Sequence, residues 1–167
     1  MPDFSFVLYD TAPFGVTAGT DHVLFQVSQG ADSTHTEAYT NSRGAGQLPT
    51  EEKFLLKRLH AIIDHNTALA DIPKIFNASY FELRVSDKIV FKCPLAMLSS
   101  KNSYGGHYTQ AAAADEAVIG LDGEGYELEI PIEIQGGVSF RPKVYQGTAV
   151  TASSNIKIVL EGTLTMQ

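Results

Sequence analysis

The side chains best suited to chemistry in this chain are five histidines, and their spacing decides whether they form a site. They are His22, His35, His60, His65 and His107. None of them falls in an HxH or HExxH arrangement, which would bring two imidazoles together as metal ligands. Only His107, in the loop sequence Gly105-Gly106-His107-Tyr108, has a setting typical of catalytic histidines. A solvated loop histidine explains that setting more simply, so the pattern predicts no histidine-based site.

Cys93 is the single cysteine, and it lies in the largely apolar run VFKCPL, residues 90–95. One cysteine excludes an intrachain disulfide, and this chain alone supplies too few thiolates for a zinc site. A catalytic thiol requires a partner histidine or an electropositive pocket, and the neighbouring sequence supplies neither. We therefore predict that Cys93 is a small buried core residue.

The carboxylates and serines also lack the spacing of an active site. Asp122-Gly123-Glu124-Gly125 resembles the start of a calcium loop, but it lacks the alternating acidic positions and the terminal glutamate. Asp115 and Glu116 are adjacent, and no fixed spacing makes them a general acid/base pair. Ser99-Ser100 and Ser153-Ser154 lie in no GxSxG elbow, and no glycine-rich phosphate loop occurs. We assign no catalytic, cofactor-binding or metal-ligating residue and no cofactor, and we expect that the chain is not an enzyme.

Composition narrows the class of protein further. The chain has 167 residues, which favours one domain, with 44% apolar and 19% charged residues. A net charge of -7 argues against general nucleic-acid binding. Two local basic groups stand out, and both are typical of solvated faces: Lys53 with Lys57 and Arg58, and the pair Arg141 and Lys143 on either side of Pro142. The first residues, MPDFSFVLYD, do not form a signal peptide, and no run of about 18 apolar residues spans a membrane.

Short runs of alternating apolar and polar residues, separated by Gly, Pro, Asp, Asn and Ser, predict a chain built from strands. The eight predicted strands are 4–9, 22–27, 53–63, 79–85, 88–93, 126–134, 138–145 and 155–166. Two polar segments predict long loops, 28–46, with a short strand near Tyr39, and 101–117. Pro73 argues against a long regular element between His65 and Asn77.

Several turns support this division. Ser86-Asp87 between two alternating runs predicts a tight hairpin. Pro131 lacks an amide donor and therefore predicts an edge strand or a bulge within a run that alternates glutamate with aliphatic residues. Gly136-Gly137 predicts the next turn.

The segment EKFLLKRLHAIID, residues 52–64, is ambiguous between helix and strand. Phe54, Leu55, Arg58, Leu59 and the Ile62-Ile63 pair follow helical spacing, with Thr50 as a candidate N-cap. A strand buried on both faces also reads as a near-continuous apolar run. The local spacing alone favours the helix. The family resemblance given below implies a strand after Gly46-Gln47-Leu48-Pro49, and with it we favour a strand over 53–63 and keep the helix as the alternative.

Eight strands in one domain predict an all-β fold, a β-sandwich in which the eight-stranded jelly roll spans residues 1–167 with two long loops. An up-and-down barrel is the alternative and would have shorter, more even connections.

Three segments carry a resemblance to a known family. They are Asn41–Pro49 leading into Phe54–Leu59, Tyr80–Lys88 followed by Pro94-Leu95, and Gly136–Phe140 continuing to Ile156–Leu164. In this order they resemble the jelly-roll coat proteins of tailless icosahedral bacteriophages, which include the internal-membrane phages. At this length the resemblance implies the single vertical jelly-roll type. It covers most of the chain from Asn41 onward as a pattern of strands and turns.

The resemblance implies a viral structural protein: a capsid subunit that assembles with itself or with a second coat protein into an icosahedral shell. It implies a virion location after synthesis in the host cytoplasm, no small-molecule substrate and no specific nucleic acid. In the internal-membrane type a lipid membrane underlies the shell, and either basic group, Lys53 to Arg58 or Arg141 and Lys143, would face its anionic head groups. Major capsid, penton and minor cement roles all stay open.

Two other classes of function are weighed against this one. A lectin-like or receptor-binding β-sandwich would use the loop residues Tyr104, Tyr108 and His107 as its site. An enzyme of the cupin type would need an HxH pair with a later glutamate and histidine, and the sequence has no such set.

Overall fold

Ten strands, one α-helix and one 3₁₀ helix make up the described parts of the chain. The computed structural model describes residues 3–64, 67–68, 70–99, 107–108, 118–119 and 125–166, with only the backbone of 107–108 and 118–119. The strands are β1 (Asp3–Phe14), β2 (Thr20–Val23), β3 (Glu52–Ile63), β4 (Tyr80–Val85), β5 (Lys88–Pro94), β6 (His107–Tyr108), β7 (Val118–Ile119), β8 (Tyr126–Gln135), β9 (Phe140–Gln146) and β10 (Ser154–Met166). Helix α1 spans Ile72–Ala78, and the 3₁₀ helix spans Leu95–Leu98.

Eight of these strands form two four-stranded antiparallel sheets. The first sheet has the order β1-β10-β3-β8, and the second has the order β2-β9-β4-β5. Strands β6 and β7 form a separate two-stranded ribbon. In the two sheets the first strand pairs with the last, β2 with β9, β3 with β8, and β4 with β5. The strand pairs are therefore nested inside one another along the chain.

The core lies between the two sheets, because one hydrophobic cluster contains inward side chains from both. Phe54 and Leu56 of β3, Phe81 and Leu83 of β4, and Leu160 of β10 are all fully buried in it. Burying each such side chain contributes about 1.5–3 kcal/mol. The all-β, sandwich-like prediction is confirmed in this coarse form. The prediction of eight strands is corrected to ten in the described part of the chain.

The segment 53–63 is a strand, as favoured, and the helical alternative is wrong. Lys57 has no partner in either register, so β3 carries a bulge between Leu56 and Arg58. Inward side chains alternate up to Leu56, and the next one after the bulge is Leu59, so strict alternation fails. The extra residue therefore gives this central strand a spacing of apolar residues that resembles the spacing in a helix.

The predicted hairpin is β4 and β5, and its turn is Ser86-Asp87. Both turn residues have positive φ angles, 49° and 62°, which a two-residue hairpin of type I′ requires. The Gly136-Gly137 turn and the continuation of the last strand past Gly162 are likewise confirmed.

The predicted ends of the first two strands are wrong. Strand β1 continues to Phe14, beyond the predicted end at residue 9, and includes Pro13. Proline is tolerated there because β1 is an edge strand. Strand β2 ends at Val23, although the apolar run continues to Val27. The chain leaves the strand because Phe25 has a φ of 59°.

The first long loop contains no strand near Tyr39, where one was predicted; the chain makes turns there instead. Helix α1 was not predicted. It has only 7 residues with Pro73 in its first turn, and it buries Ile72, Ile75 and Phe76. The second predicted loop, 101–117, lies outside the described residues apart from the backbone of 107–108.

Strand β8 confirms that Pro131 lies both on an edge strand and in a bulge. Leu56 pairs with Ile132 and Arg58 with Glu127, so residues 128–131 of β8 face Lys57 alone. The predicted alternation fails within this bulge: Ile130 was expected on the buried aliphatic face, yet its side chain is 81% exposed.

Candidate functional surfaces

The histidines of the described regions have separate partners and form no cluster. His22 stacks on Phe14 and lies 3.1 Å from Gln146, His35 lies 2.8 Å from Asp32, and His60 lies 3.1 Å from Glu161. No group of three or more metal-ligating side chains occurs among the described residues. His65 and the carboxylates of Asp115, Glu116, Asp122 and Glu124 lie outside the described residues, and the side chain of His107 is not described, so those predictions are not tested.

Cys93 is buried in the core, as predicted. Burial raises the pKa of its thiol to about 12. Because only the thiolate is a nucleophile or metal ligand, Cys93 is inert at neutral pH in the folded chain.

The outer side of the second sheet carries a cluster of cations and aromatic rings, hereafter the basic face. Its members are Tyr80, Glu82 and Arg84 of β4, Lys92 of β5, and Arg141, Lys143 and Tyr145 of β9. Alternation along β4 and β9 places them opposite the buried residues Phe81, Leu83 and Val144. This surface is cationic although the chain as a whole is acidic.

Glu82 lies at the centre of the basic face and is 2% exposed. Its carboxylate accepts a 2.7 Å hydrogen bond from Arg84 Nε and lies 3.5 Å from Lys92 Nζ and 3.8 Å from Lys143 Nζ. The hydrogen bond from Arg84 lowers the pKa of Glu82 against the opposing effect of burial, and the charge of Lys143 adds to it. Glu82 thus holds Arg84 and Lys92, and it shares Lys143 with Asp21 of β2, whose carboxylate lies 3.2 Å from Lys143 Nζ.

The aromatic part of the basic face is the pair Tyr80 and Tyr145. Their rings stack with centroids 4.9 Å apart, and Lys92 Nζ lies 4.1 Å from the centre of the Tyr80 ring. Such cation–π contacts add about 0.5–1 kcal/mol at exposed positions. The rings stiffen the face and fix the direction of Lys92.

Arg141 is the unbalanced cation of the basic face. It is exposed, it lies directly opposite Arg84 in the β4–β9 register, and it makes no ion pair with any described residue. Like charges directly opposite each other destabilise a strand pair. Sequence reasoning noted Arg141 and Lys143 but missed Arg84 and Lys92, because only the register between three strands brings them together.

The other basic group of the sequence lies on the first sheet and is compensated there. Lys53 lies 3.5 Å from Glu133, Lys57 donates to Thr163, and Arg58 lies 3.9 Å from Glu161. These cations are a solvated face, as the sequence predicted.

No described strand pairs with the outer side of β8, and this edge, hereafter the acidic edge, is rich in glutamate. It exposes Glu127, Glu129 and Glu133, with Ile130 and Pro131 in the bulge between them. Glu129 makes no ion pair with any described residue. A bulge with proline blunts an edge strand against pairing with another strand, so contacts here would run through side chains.

The opposite edge of the first sheet is covered by the long loop. Asn41 makes three hydrogen bonds to β1. Its backbone N–H donates to Tyr9 O, its side-chain oxygen accepts from Tyr9 N, and its side-chain NH₂ donates to Val7 O. The loop thereby occupies hydrogen-bonding groups of β1 that another chain would otherwise use.

Asp10 anchors the start of that loop. The buried carboxylate accepts the backbone N–H groups of Phe25 and Thr11. Burial raises the pKa of Asp10, against the lowering effect of these hydrogen bonds. The bond to Phe25 stabilises a backbone conformation that costs a non-glycine residue about 1 kcal/mol or more.

An open cleft of about 370 Å³ lies between the long loop and the outer side of the first sheet. Its lining combines an exposed aromatic ring with polar groups, and it consists of Thr11, Ala38, Tyr39, Ile62, Ile63, Asp64, Asn155 and Lys157. Aromatic and polar groups side by side suit a small polar ligand with one apolar face.

None of the helices in the described regions has the length and apolar character needed to cross a membrane. No protein-family model matches the chain, and no curated protein sequence matches it.

Proposed function

We propose that the chain is a capsid subunit: a single jelly-roll domain that assembles with itself, or with a second coat protein, into an icosahedral viral shell. The nested pairing of β1 with β10, β2 with β9, β3 with β8 and β4 with β5 is the observation that carries the proposal. A long hairpin rolled into two four-stranded sheets has this pairing, and viral coat proteins are a principal use of that architecture. The fold alone does not establish the function, so the surfaces must add to the argument.

The surfaces favour assembly with large partners. A charged sheet face, an oppositely charged edge with an exposed isoleucine, and an opposite edge covered by its own loop suit protein contacts through side chains. The strand and turn pattern of the sequence also resembles that of phage coat proteins.

Light scattering across a concentration series tests this proposal. A capsid subunit should form closed oligomers or larger shells as concentration rises. A monomer at every concentration would remove self-assembly and leave assembly with a second coat protein, which mixing with that protein would test.

If the shell belongs to the internal-membrane type, the Arg141 and Lys143 group is the better candidate for contact with lipid because of Arg141, which makes no ion pair with any described residue. Lys53, Lys57 and Arg58 all have partners in their own sheet, and Lys143 is itself paired with Asp21 and Glu82. Juxtamembrane cations contribute about 1 kcal/mol each at an anionic surface. Sedimentation with anionic liposomes should carry the protein down, and a failure to bind removes this part of the proposal.

The cleft beside Tyr39 favours a second candidate, a lectin-like or receptor-binding module. Tyr39 would stack on a sugar ring while Asp64 and Asn155 bind its hydroxyl groups. A glycan array distinguishes the two candidates: a capsid subunit gives no specific hit, whereas a lectin gives a hit that the Tyr39→Ala variant loses.

A further inference from the structure

We propose that the basic face of one copy binds the acidic edge of a second copy of this chain. This inference rests on the proposed self-assembly and assigns the two surfaces that meet. It concerns contacts between subunits only.

The charge of the basic face is not balanced within the chain. The anions beside these cations are Glu82 and Asp21: Glu82 is shared among Arg84, Lys92 and Lys143, and Asp21 lies 3.2 Å from Lys143 Nζ. Arg141 has no ion pair among the described residues. Arg84 and Arg141 are direct cross-strand neighbours of like charge, and Glu82 offsets this repulsion only from the Arg84 side. An external carboxylate placed over Arg141 would relieve this repulsion.

The acidic edge offers such carboxylates. Glu129 makes no ion pair among the described residues, and Glu133, 44% exposed, lies 3.5 Å from Lys53 and accepts a 2.9 Å hydrogen bond from Gln135 of its own strand. The bulge in β8 pushes residues 128–131 out of regular pairing, and no described strand lies beyond them, so this stretch can enter a neighbouring surface.

The apolar parts of the two surfaces also match. Ile130 is the most exposed of the large apolar side chains in the described regions. On the basic face, the exposed side chains of Val23 and Ile89 lie beside Lys143 and Arg84 in the strand registers. Ile130 surrounded by glutamates fits a cationic surface with apolar borders, and oppositely charged patches around an apolar contact are typical of specific interfaces.

The two surfaces differ, so the contact is heterologous: each copy uses its face towards one neighbour and its edge towards another. Such contacts continue from copy to copy and close into a ring when the rotation allows. A ring of this kind is the unit from which a shell is assembled.

Site-directed cross-linking tests the contact without changing its charges. One chain carries Ile130→Cys and the other Ile89→Cys, while the native Cys93 is buried and inert. A short bis-maleimide should link the mixture into heterodimers and leave each variant alone largely unlinked. Val16→Cys replaces Ile89→Cys as the control and should give no heterodimer, because Val16 is more exposed than Ile89, 69% against 52%, but lies outside both surfaces.

Charge reversal tests the electrostatic part. Arg141→Glu should weaken self-association at least tenfold, Glu129→Arg should do the same, and an equal mixture of the two should regain part of the loss. Lys157→Glu is the matched control, because this cation pairs with Thr11 and Ile62 on the other sheet and lies in neither surface, and the variant should associate like the unaltered chain.

The outcomes separate this inference from the proposed function. Concentration-dependent assembly with no Ile130–Ile89 cross-link and no effect of Arg141→Glu overturns the inference and leaves the capsid proposal intact. Liposome binding that Arg141→Glu abolishes, with association unchanged, assigns the basic face to a membrane and also overturns it. A monomeric chain that does not cross-link overturns the inference, and the capsid proposal then depends on a second coat protein.

Discussion

Replacing Glu82 by glutamine tests whether one buried carboxylate organises the basic face. The substitution keeps the size of the side chain but removes the charge that holds Arg84 at 2.7 Å and the two lysines at 3.5 and 3.8 Å. A hydrogen bond to a charged group contributes about 1.5–3 kcal/mol. The ion pairs of Glu82 with the two lysines add only a few tenths of a kcal/mol to stability, because they are longer and solvent screens Lys92, which is half exposed. We expect Glu82→Gln to lower the free energy of unfolding by about 2 kcal/mol at pH 7.

The pH dependence provides a second signature. The pKa of Glu82 lies below its ordinary value of 4.5 in the folded chain, so the carboxylate stabilises the fold above pH 4.5. That contribution is lost as the pH falls through the lowered folded pKa. The difference in stability between the unaltered chain and Glu82→Gln should therefore be constant near neutral pH and shrink in acid.

Urea unfolding followed by circular dichroism at pH 7 and at several acidic values measures both effects. Glu133→Gln is the matched control: Glu133 is exposed, and its ion pair with Lys53 is a surface pair, so the change should stay within about 0.5 kcal/mol. A Glu82→Gln variant as stable as this control would refute the central role given to Glu82.

Three further predictions concern the fold. Gly162→Ala should lower the free energy of unfolding in urea by about 3 kcal/mol, because the new Cβ would lie 2.1 Å from Leu55 O across the β3 bulge. The control Gly15→Ala, which has open space around it, should change this free energy by less than about 0.5 kcal/mol. Equal effects of the two substitutions would contradict this geometry. Asp10→Ala should lower the free energy of unfolding, measured by thermal unfolding, by about 2 kcal/mol, because it leaves the buried N–H of Phe25 without its acceptor. Asp10→Asn retains an acceptor oxygen and should lower it by less. Cys93 should react with a thiol reagent at pH 8 only after unfolding, and rapid reaction of the native chain would show that the thiol is not buried.

Local patterns predicted the elements whose partners are close in sequence. The β4–β5 hairpin follows from two alternating runs around Ser86-Asp87, and the register needs no information from the rest of the chain. The edge position of Pro131 also came from a local pattern, and both predictions rested on a residue type with a direct backbone consequence. The strand at 53–63 came instead from the family resemblance, because its local spacing favours a helix.

The features that the sequence analysis missed depend on contacts between residues that are far apart in the chain. Strand β2 ends early because Asp10, 15 residues away, accepts the N–H of Phe25 and fixes its backbone. Ile130 points outward because β8 bulges opposite Lys57, which no alternation pattern reveals. The basic face combines side chains from three strands, and only the β9-β4-β5 order brings Arg141 beside Arg84 and Lys92 beside Glu82.

The most direct test of the capsid proposal is electron microscopy of the purified protein, concentrated alone and after mixing with a second coat protein from the same source. We predict closed particles or ring-shaped oligomers of uniform size. Dispersed single chains under both conditions, together with specific binding on a glycan array, would contradict the capsid proposal and favour a ligand-binding module.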